Sequence, residues 1–177
     1  LTSLEDRWTP TAGDYSFAFN IGGASIDAGR GIVAQAGFVY VTGSFQGTAD
    51  FDPGVGTANL TSAGSSDVFV AKYTDTGSFV WAERFGDTSD DVGLGIAVDG
   101  AGNVYTTGSF QGTVDFDPGT GTAILTSAGG TDVFVSKLDS NGNFVYAHRF
   151  GNISDDSGNG IAVDAAGNVY MTGSFQG

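Results

Sequence analysis

The chain of 177 residues has no cysteine, three prolines, one histidine, and six lysines and arginines together. Without cysteine there is no disulfide framework, thiolate nucleophile or thiolate zinc site, and the compartment stays open. Of the 20 acidic residues only Glu5 and Glu83 are glutamate. Glutamate favours helices, whereas aspartate favours turns, caps and oxygen-ligand cation sites, so this skew argues for a turn-rich β protein. The formal charge of −14 speaks against nucleic acid, which needs clustered cations, and against docking on anionic membranes. No apolar run approaches the roughly 18 residues of a helical membrane span, so no membrane insertion is expected. No secretion leader is visible at Leu1, which implies a removed leader or a segment of something longer. No stretch combines apolar 3.6-residue periodicity with caps, so no long helix is predicted.

Glycine is plentiful, at 30 residues, but it falls between apolar runs and not in low-complexity blocks, which argues against disorder. Its placement follows a long internal period. Residues 113–177 repeat residues 48–112 with a shift of 65, and 46 of the 65 positions are identical. A third copy of the second half lies at Gly31 to Gly47, one residue shorter in its turn. A unit of this length cannot bury its own faces and must stack on its neighbours. The organisation is therefore an irregular or degenerate segment over 1–15, a partial unit over 16–47, and full units over 48–112 and 113–177. Leu1, Thr2 and Ser3 recur as Leu60–Ser62 and Leu125–Ser127, so the first segment is read either as irregular or as a worn remnant of the repeat.

Each full period predicts four strands and a small insertion. A short, small-sided strand (Gly95–Val98) leads through the turn Asp99 to Asn103 into Val104–Phe110. In the next unit Asp164 to Asn168 leads into Val169–Phe175, and in the partial unit the second strand is Phe38–Phe45. An insertion with Asp-Phe-Asp-Pro-Gly follows, at Thr48–Gly64 and Thr113–Gly129, where Pro53 and Pro118 act as breakers. The third strands are Asp67–Lys72 and Asp132–Lys137, and the aromatic fourth strands are Phe79–Phe85 and Phe144–Phe150. Phe17–Ile21 matches Trp81–Phe85. Consecutive hairpins repeated in this way predict an all-β fold of four-stranded antiparallel propeller blades. The short first strand suits the crowded centre, and the aromatic fourth strand suits packing between the outer parts of blades. A β-solenoid is the alternative, but its coils are usually far shorter.

The string Gly160 to Phe175 (GIAVDAAGNVYMTGSF) and the string Asp132 to Gly151 (DVFVSKLDSNGNFVYAHRFG) resemble the bacterial SBBP β-propeller repeat family, with a distant similarity to NHL-type propeller repeats. The likeness covers roughly Phe17 to Gly177. The first copy departs from it, with Ala34 and Gln35 where the later copies have Val and Asp. The resemblance implies a large secreted or surface protein of bacteria and supplies no catalytic motif. Propellers have about four to eight blades. About three are represented, so an incomplete propeller is expected. It would be completed by more chain or by head-to-tail self-association.

Four residue sets invite chemistry. Asp50, Asp52, Asp115 and Asp117 alternate with phenylalanine ahead of Pro-Gly and fit either a calcium loop or a turn whose carboxylates cap backbone amides. Asp27, Asp90, Asp91, Asp155 and Asp156 lie in the loops that join blades. They fit an acidic rim for cations or a basic partner, or caps on the neighbouring blade. His148 is replaced by Glu83 one period earlier and has no nucleophile and acid in sequence beside it, which argues against catalysis and zinc. Lys72, Arg84, Lys137 and Arg149 are expected to pair with local aspartates, and Trp81 and Tyr146 to pack between blades or, if exposed, to stack on sugars. Asn59 and Asn152 fit glycosylation sequons, which mean little in a bacterial protein.

The function expected from these features is a non-catalytic module, extracellular or on the cell surface, that binds a protein or glycan or acts as a scaffold, with calcium as its one candidate cofactor. The alternatives are a piece of a carbohydrate- or polymer-active hydrolase or lyase, and a self-assembling filament or surface-layer subunit. The two full copies show no unrepeated cluster of His, Glu or Asp in one blade, which the enzyme reading requires.

Overall fold

The computed structural model describes residues 20–177, which form thirteen strands joined by turns and contain no helix. The reading of residues 1–15 lies outside the described residues, as do 17–19 of the expected strand 17–21; 20 and 21 are not in a strand. The first blade holds β1 (Gly22–Gly23), β2 (Asp27–Gln35), β3 (Phe38–Asp50), β4 (Asn59–Thr74) and β5 (Phe79–Phe85). The second holds β6 (Val92–Val98), β7 (Val104–Phe110), the hairpin β8 (Thr113–Asp115) and β9 (Ile124–Thr126), β10 (Asp132–Leu138) and β11 (Phe144–Phe150). A two-stranded sheet of β12 (Ser157–Val163) and β13 (Val169–Ser174) follows.

All pairing is antiparallel, and the second blade runs β6-β7-β10-β11. The register repeats with the sequence: Val70 lies opposite Thr42 and Glu83, and Val135 opposite Thr107 and His148. The fold is therefore all-β, an incomplete propeller of four-stranded blades with an inserted hairpin between the second and third strands, as the 65-residue period predicts. In the first blade the hairpin merges with its neighbours, since β3 and β4 run through it across a bulge between Gln46 and Thr48. Gly47 has φ +66° there, and Gly112, with φ +81°, lies between β7 and β8 at the same place one period later.

The first strands meet at the centre, where β6 lies between β2 and β12. Each carries a bulge between two glycines: Gly29 and Gly31, Gly93 and Gly95, Gly158 and Gly160. A Cβ on Gly95 would sit 3.1 Å from the Gly160 Cα, so the close approach of β6 to β12 requires glycine. The main core lies between the two blades. Tyr40, Val70 and Phe85 from the first pack with Phe110, Phe116 and Phe134 from the second. Phe116 is the anchor: its ring stacks on Phe85 at 5.7 Å and meets Phe110 and Phe134 at 5.4 and 5.1 Å. Phe51 has the same role in the first blade, against Phe45 and Phe69.

Candidate functional site: acidic clefts at the blade junctions

The Asp-Phe-Asp-Pro-Gly turns close on their own carboxylates. Asp50 Oδ1 accepts from the amides of Asp52 and Ala58 at 3.0 and 2.9 Å, and Asp52 Oδ1 accepts from Gly54 N at 2.8 Å. Asp115 and Asp117 repeat this with Asp117 N, Ala123 N and Gly119 N at 3.0, 2.8 and 2.8 Å. The Ala58 amide, and then that of Asp52, holds the Asp50 carboxyl below its ordinary range. One oxygen of each aspartate is thus committed to the turn, while the phenylalanine between them is buried.

Each turn borders a cleft against the preceding fourth strand or the segment that takes its place. In the first, of about 460 Å³, Asp50, Asp52 and Pro53 face residues 20–23, Ser25 and Asp27. In the second, of about 310 Å³, Asp115, Asp117 and Pro118 face Glu83, Arg84 and Gly86. Both clefts have carboxylates on two sides. Burial pushes Glu83 up to about 7, so this wall titrates near neutrality. Among the described residues no group of three or more His, Cys, Asp or Glu side chains is arranged to hold a metal ion.

The loops joining the blades use their aspartates in two ways. Asp91 and Asp156 are buried. Asp91 accepts from Asp87 N and Gln111 N at 2.9 and 3.1 Å, and Asp156 from Asn152 N and Gln176 N at 2.9 and 2.8 Å. Asp27, half-buried, accepts from Gly23 N and Gln46 N. Asp90 and Asp155 are exposed and reach back to the preceding blade, Asp90 to Ser65 Oγ at 2.7 Å and Asp155 to Thr131 N at 2.9 Å. Burial, reinforced by Asp87 and Asp67, raises Asp91 to about 7 against the pull of its two amides.

The remaining cations and aromatics are sorted by strand position. Arg84 pairs with buried Asp67, and Arg149 with buried Asp132 at 2.6 Å. These pairings follow the expectation for the arginines. The lysines depart from it: Lys72 is buried and donates to the Ser140 carbonyl at 2.9 Å, with its Nζ 4.2 Å from the Phe38 ring centre. Lys137 sits 4.9 Å above the Tyr105 ring. Ring faces and a carbonyl replace carboxylates because both stems run along aromatic strands. Trp81 Nε1 donates to the same Ser140 carbonyl at 3.3 Å, which fixes the indole between the blades. His148 is exposed and touches the Tyr146 ring, 5.1 Å between centres. The bulge residues Arg30, Leu94 and Asn159 did not emerge from sequence reasoning. Their signal was the Gly-x-Gly spacing at three equivalent places, with a different residue between the glycines each time.

Comparison with known proteins fits this geometry. The model of the SBBP family, described as a beta-propeller repeat, matches residues 80–109 and 145–174. Each match runs from a fourth strand through the acidic loop into the next blade's first two strands, so the family unit straddles a blade junction. The chain is similar to a protein named regulatory protein FlaEY of Caulobacter vibrioides, 29% identical over 110 residues, 62% of this chain and 12% of that protein. It is also similar to an uncharacterized WD repeat-containing protein, L264, of Acanthamoeba polyphaga mimivirus, 28% identical over 112 residues, 55% of this chain and 8% of that protein. The matched stretch is thus a small part of each relative. The SBBP beta-propeller repeat model thus matches the chain twice, once across each junction between its described blades.

Proposed function

We propose that this chain is part of a non-catalytic propeller-repeat module, working outside the cell or on its surface, that holds a partner at its acidic junction clefts. The observation that carries this reading is recurrence. The same hairpin places a pair of capped aspartates beside a cleft at two successive junctions, while the opposite wall changes from residues 20–23, Ser25 and Asp27 to Glu83 and Arg84. A constant frame with varied walls suits recognition of a protein or glycan; chemistry needs one distinctive cluster. The relatives' names, one regulatory and one of a WD repeat protein, agree with a binding or scaffolding role. The extracellular placement rests on the family resemblance and the aspartate-rich surface. A partner with clustered lysines or arginines suits the clefts, because carboxylates predominate on their walls and Arg84, the one cation in the second, is already paired with Asp67.

Calcium is the second reading, favoured by the uncommitted oxygens of Asp50, Asp52, Asp115 and Asp117 beside Asp27 in the first cleft and Glu83 in the second. The test is the melting temperature with calcium, with magnesium and with chelator at one ionic strength. A cation site filled at 100 times its dissociation constant stabilises by about 2.7 kcal/mol, a shift of several degrees. A calcium-specific rise that disappears on changing the four aspartates to asparagine supports a calcium-stabilised module. An equal response to magnesium, or none, assigns these carboxylates to turn capping alone. The binding role is tested by capture of polylysine against polyglutamate, with retention of polylysine reduced by Asp117→Asn and Glu83→Gln. Unchanged retention would move the site away from the clefts.

A further inference from the structure

We propose that each described blade junction holds a site for one proton, shared by the buried carboxyls of Asp67 and Asp91 at the first junction and of Asp132 and Asp156 at the second, and that this proton latches the junction. All four residues are at most 1% exposed. Asp67 Oδ2 accepts from the Ala63 amide at 2.8 Å and from Arg84. Asp132 Oδ2 accepts from the Ala128 amide and from Arg149, each at 2.6 Å. The other oxygen of each, Asp67 Oδ1 and Asp132 Oδ1, is buried without a hydrogen-bond partner among the described residues. An orphaned buried acceptor is unfavourable, and two at equivalent places 65 residues apart point to a missing donor.

The neighbouring aspartate supplies that donor. A Cβ on Gly151 would fall against Asp132 Oδ1 and Asp156 Oδ2 together, so glycine leaves the two carboxyls facing one small shared space. Gly86 stands at the same place one period earlier, where a Cβ would meet Asp67 Oδ1 at 2.6 Å. Protonated at Oδ2, Asp91 donates to Asp67 Oδ1 and still accepts from Asp87 N and Gln111 N. One retained proton also balances the charge. Two ionised carboxylates beside the single guanidinium of Arg84 would bury a net negative charge, whereas the protonated trio is neutral. The other charged groups around it are all acids: Asp87 and exposed Asp90 on the junction loop, and Glu83, Asp115 and Asp117 on the cleft that Arg84 and Gly86 line. At the second junction Arg149 is the cation, Asn152 replaces Asp87, and Asp155 is the exposed acid. Burial, reinforced by Asp87, raises both Asp67 and Asp91, and Asp67 adds to the rise of Asp91. Among the described residues no third acid completes a metal cage, and a closed space between two carboxyls and a glycine suits a proton. Asp91 ties three segments together: its amide donates to the Ser66 carbonyl at 2.7 Å, and its carboxyl holds the amides of Asp87 and Gln111. Loss of the proton to water as pH rises sets two carboxylates against each other and slackens these ties.

The inference depends neither on calcium nor on a partner in the clefts. It is tested on the full chain by carbon-13 NMR of the aspartate carboxyl carbons between pH 4 and pH 9, with hydrogen-exchange protection factors of the Asp87 and Gln111 amides followed alongside. The Asp67 and Asp91 carbons are expected to move together in a common step near pH 7, as a coupled pair does. In Asp67→Asn the side-chain amide donates to Asp91 Oδ2 at every pH, and its oxygen keeps the Ala63 amide and Arg84. The Asp91 step is then expected to fall by about one pH unit or more. Protection of the two amides is expected to drop from pH 6 to pH 8 in the parent and to stay level in Asp67→Asn. Separate steps for the two carbons in the parent, a result that needs no variant, overturn the proposal. So does an Asp91 step that Asp67→Asn leaves in place. Calcium that restores the lost protection at pH 8 also overturns it, since the shared ligand is then a metal ion.

Discussion

At the scale of single residues, the ionisation of Asp91 couples to folding. Its folded value of about 7 lies above the unfolded aspartate value near 4. Between these, the unfolded chain has lost a proton that the folded chain retains. The contribution is therefore full in acid and is lost as pH rises through about 7, with a slope of up to about 1.4 kcal/mol per unit. Glu83, also raised to about 7 by burial, acts in the same direction. A melting temperature that falls from pH 5 to pH 8, less steeply in Asp91→Asn and less steeply still when Glu83→Gln is added, is expected in thermal scans. Below pH 4 the sign reverses. The side-chain amides of Asn143 and Asn168 hold Asp139 and Asp164 below the ordinary range, so these turns lose support as they protonate. Gly95 gives a purely steric prediction. A valine there would press on the backbone of β12, and overpacking of this kind costs about 1–3 kcal/mol. Gly100→Ala meets nothing within 4 Å and serves as the neutral control in the same urea titration.

At the scale of elements, the inserted hairpin explains why the repeat needs so long a period. The hairpin β8–β9 is too short to be stable alone, and its three-residue strands are held by Phe116. Removing that ring by Phe116→Ala is expected to cost about 3–5 kcal/mol in chemical denaturation. Val55, wholly exposed at the tip of the first hairpin, should tolerate alanine without change. The strand sequence was legible because alternation, turn chemistry and the 65-residue copy all agree. The turns Asp99 to Asn103 and Asp139 to Asn143 hold as the residues imply: aspartate accepts from amides two and four residues on, and glycine takes a positive φ. The glycine-flanked bulges were not legible. A lone Gly-x-Gly in a strand has several uses, and only the facing inner strand shows which one applies.

For the whole molecule, the charge of −14 sets a background against which any cation effect must be read. Self-repulsion of like charges opposes the compact state. Raising monovalent salt past about 0.1 M, where screening acts over roughly 10 Å, should raise the melting temperature on its own. That is why the calcium comparison holds ionic strength fixed.

The sequence by itself determined the all-β class, the blade as the repeating unit, the position of the insertion and the aspartates that shape each turn. These follow from local chemistry and from copying within the chain, and neither needs a neighbour in space. Only the tertiary structure decided which carboxylates are buried, that the lysines rest on aromatic faces while the arginines pair with Asp67 and Asp132, and that the capped turns line clefts. Burial and partner choice depend on residues 17 to 68 positions apart brought into contact by strand pairing and blade stacking. Alternation along one strand specifies two faces but cannot say what covers either of them.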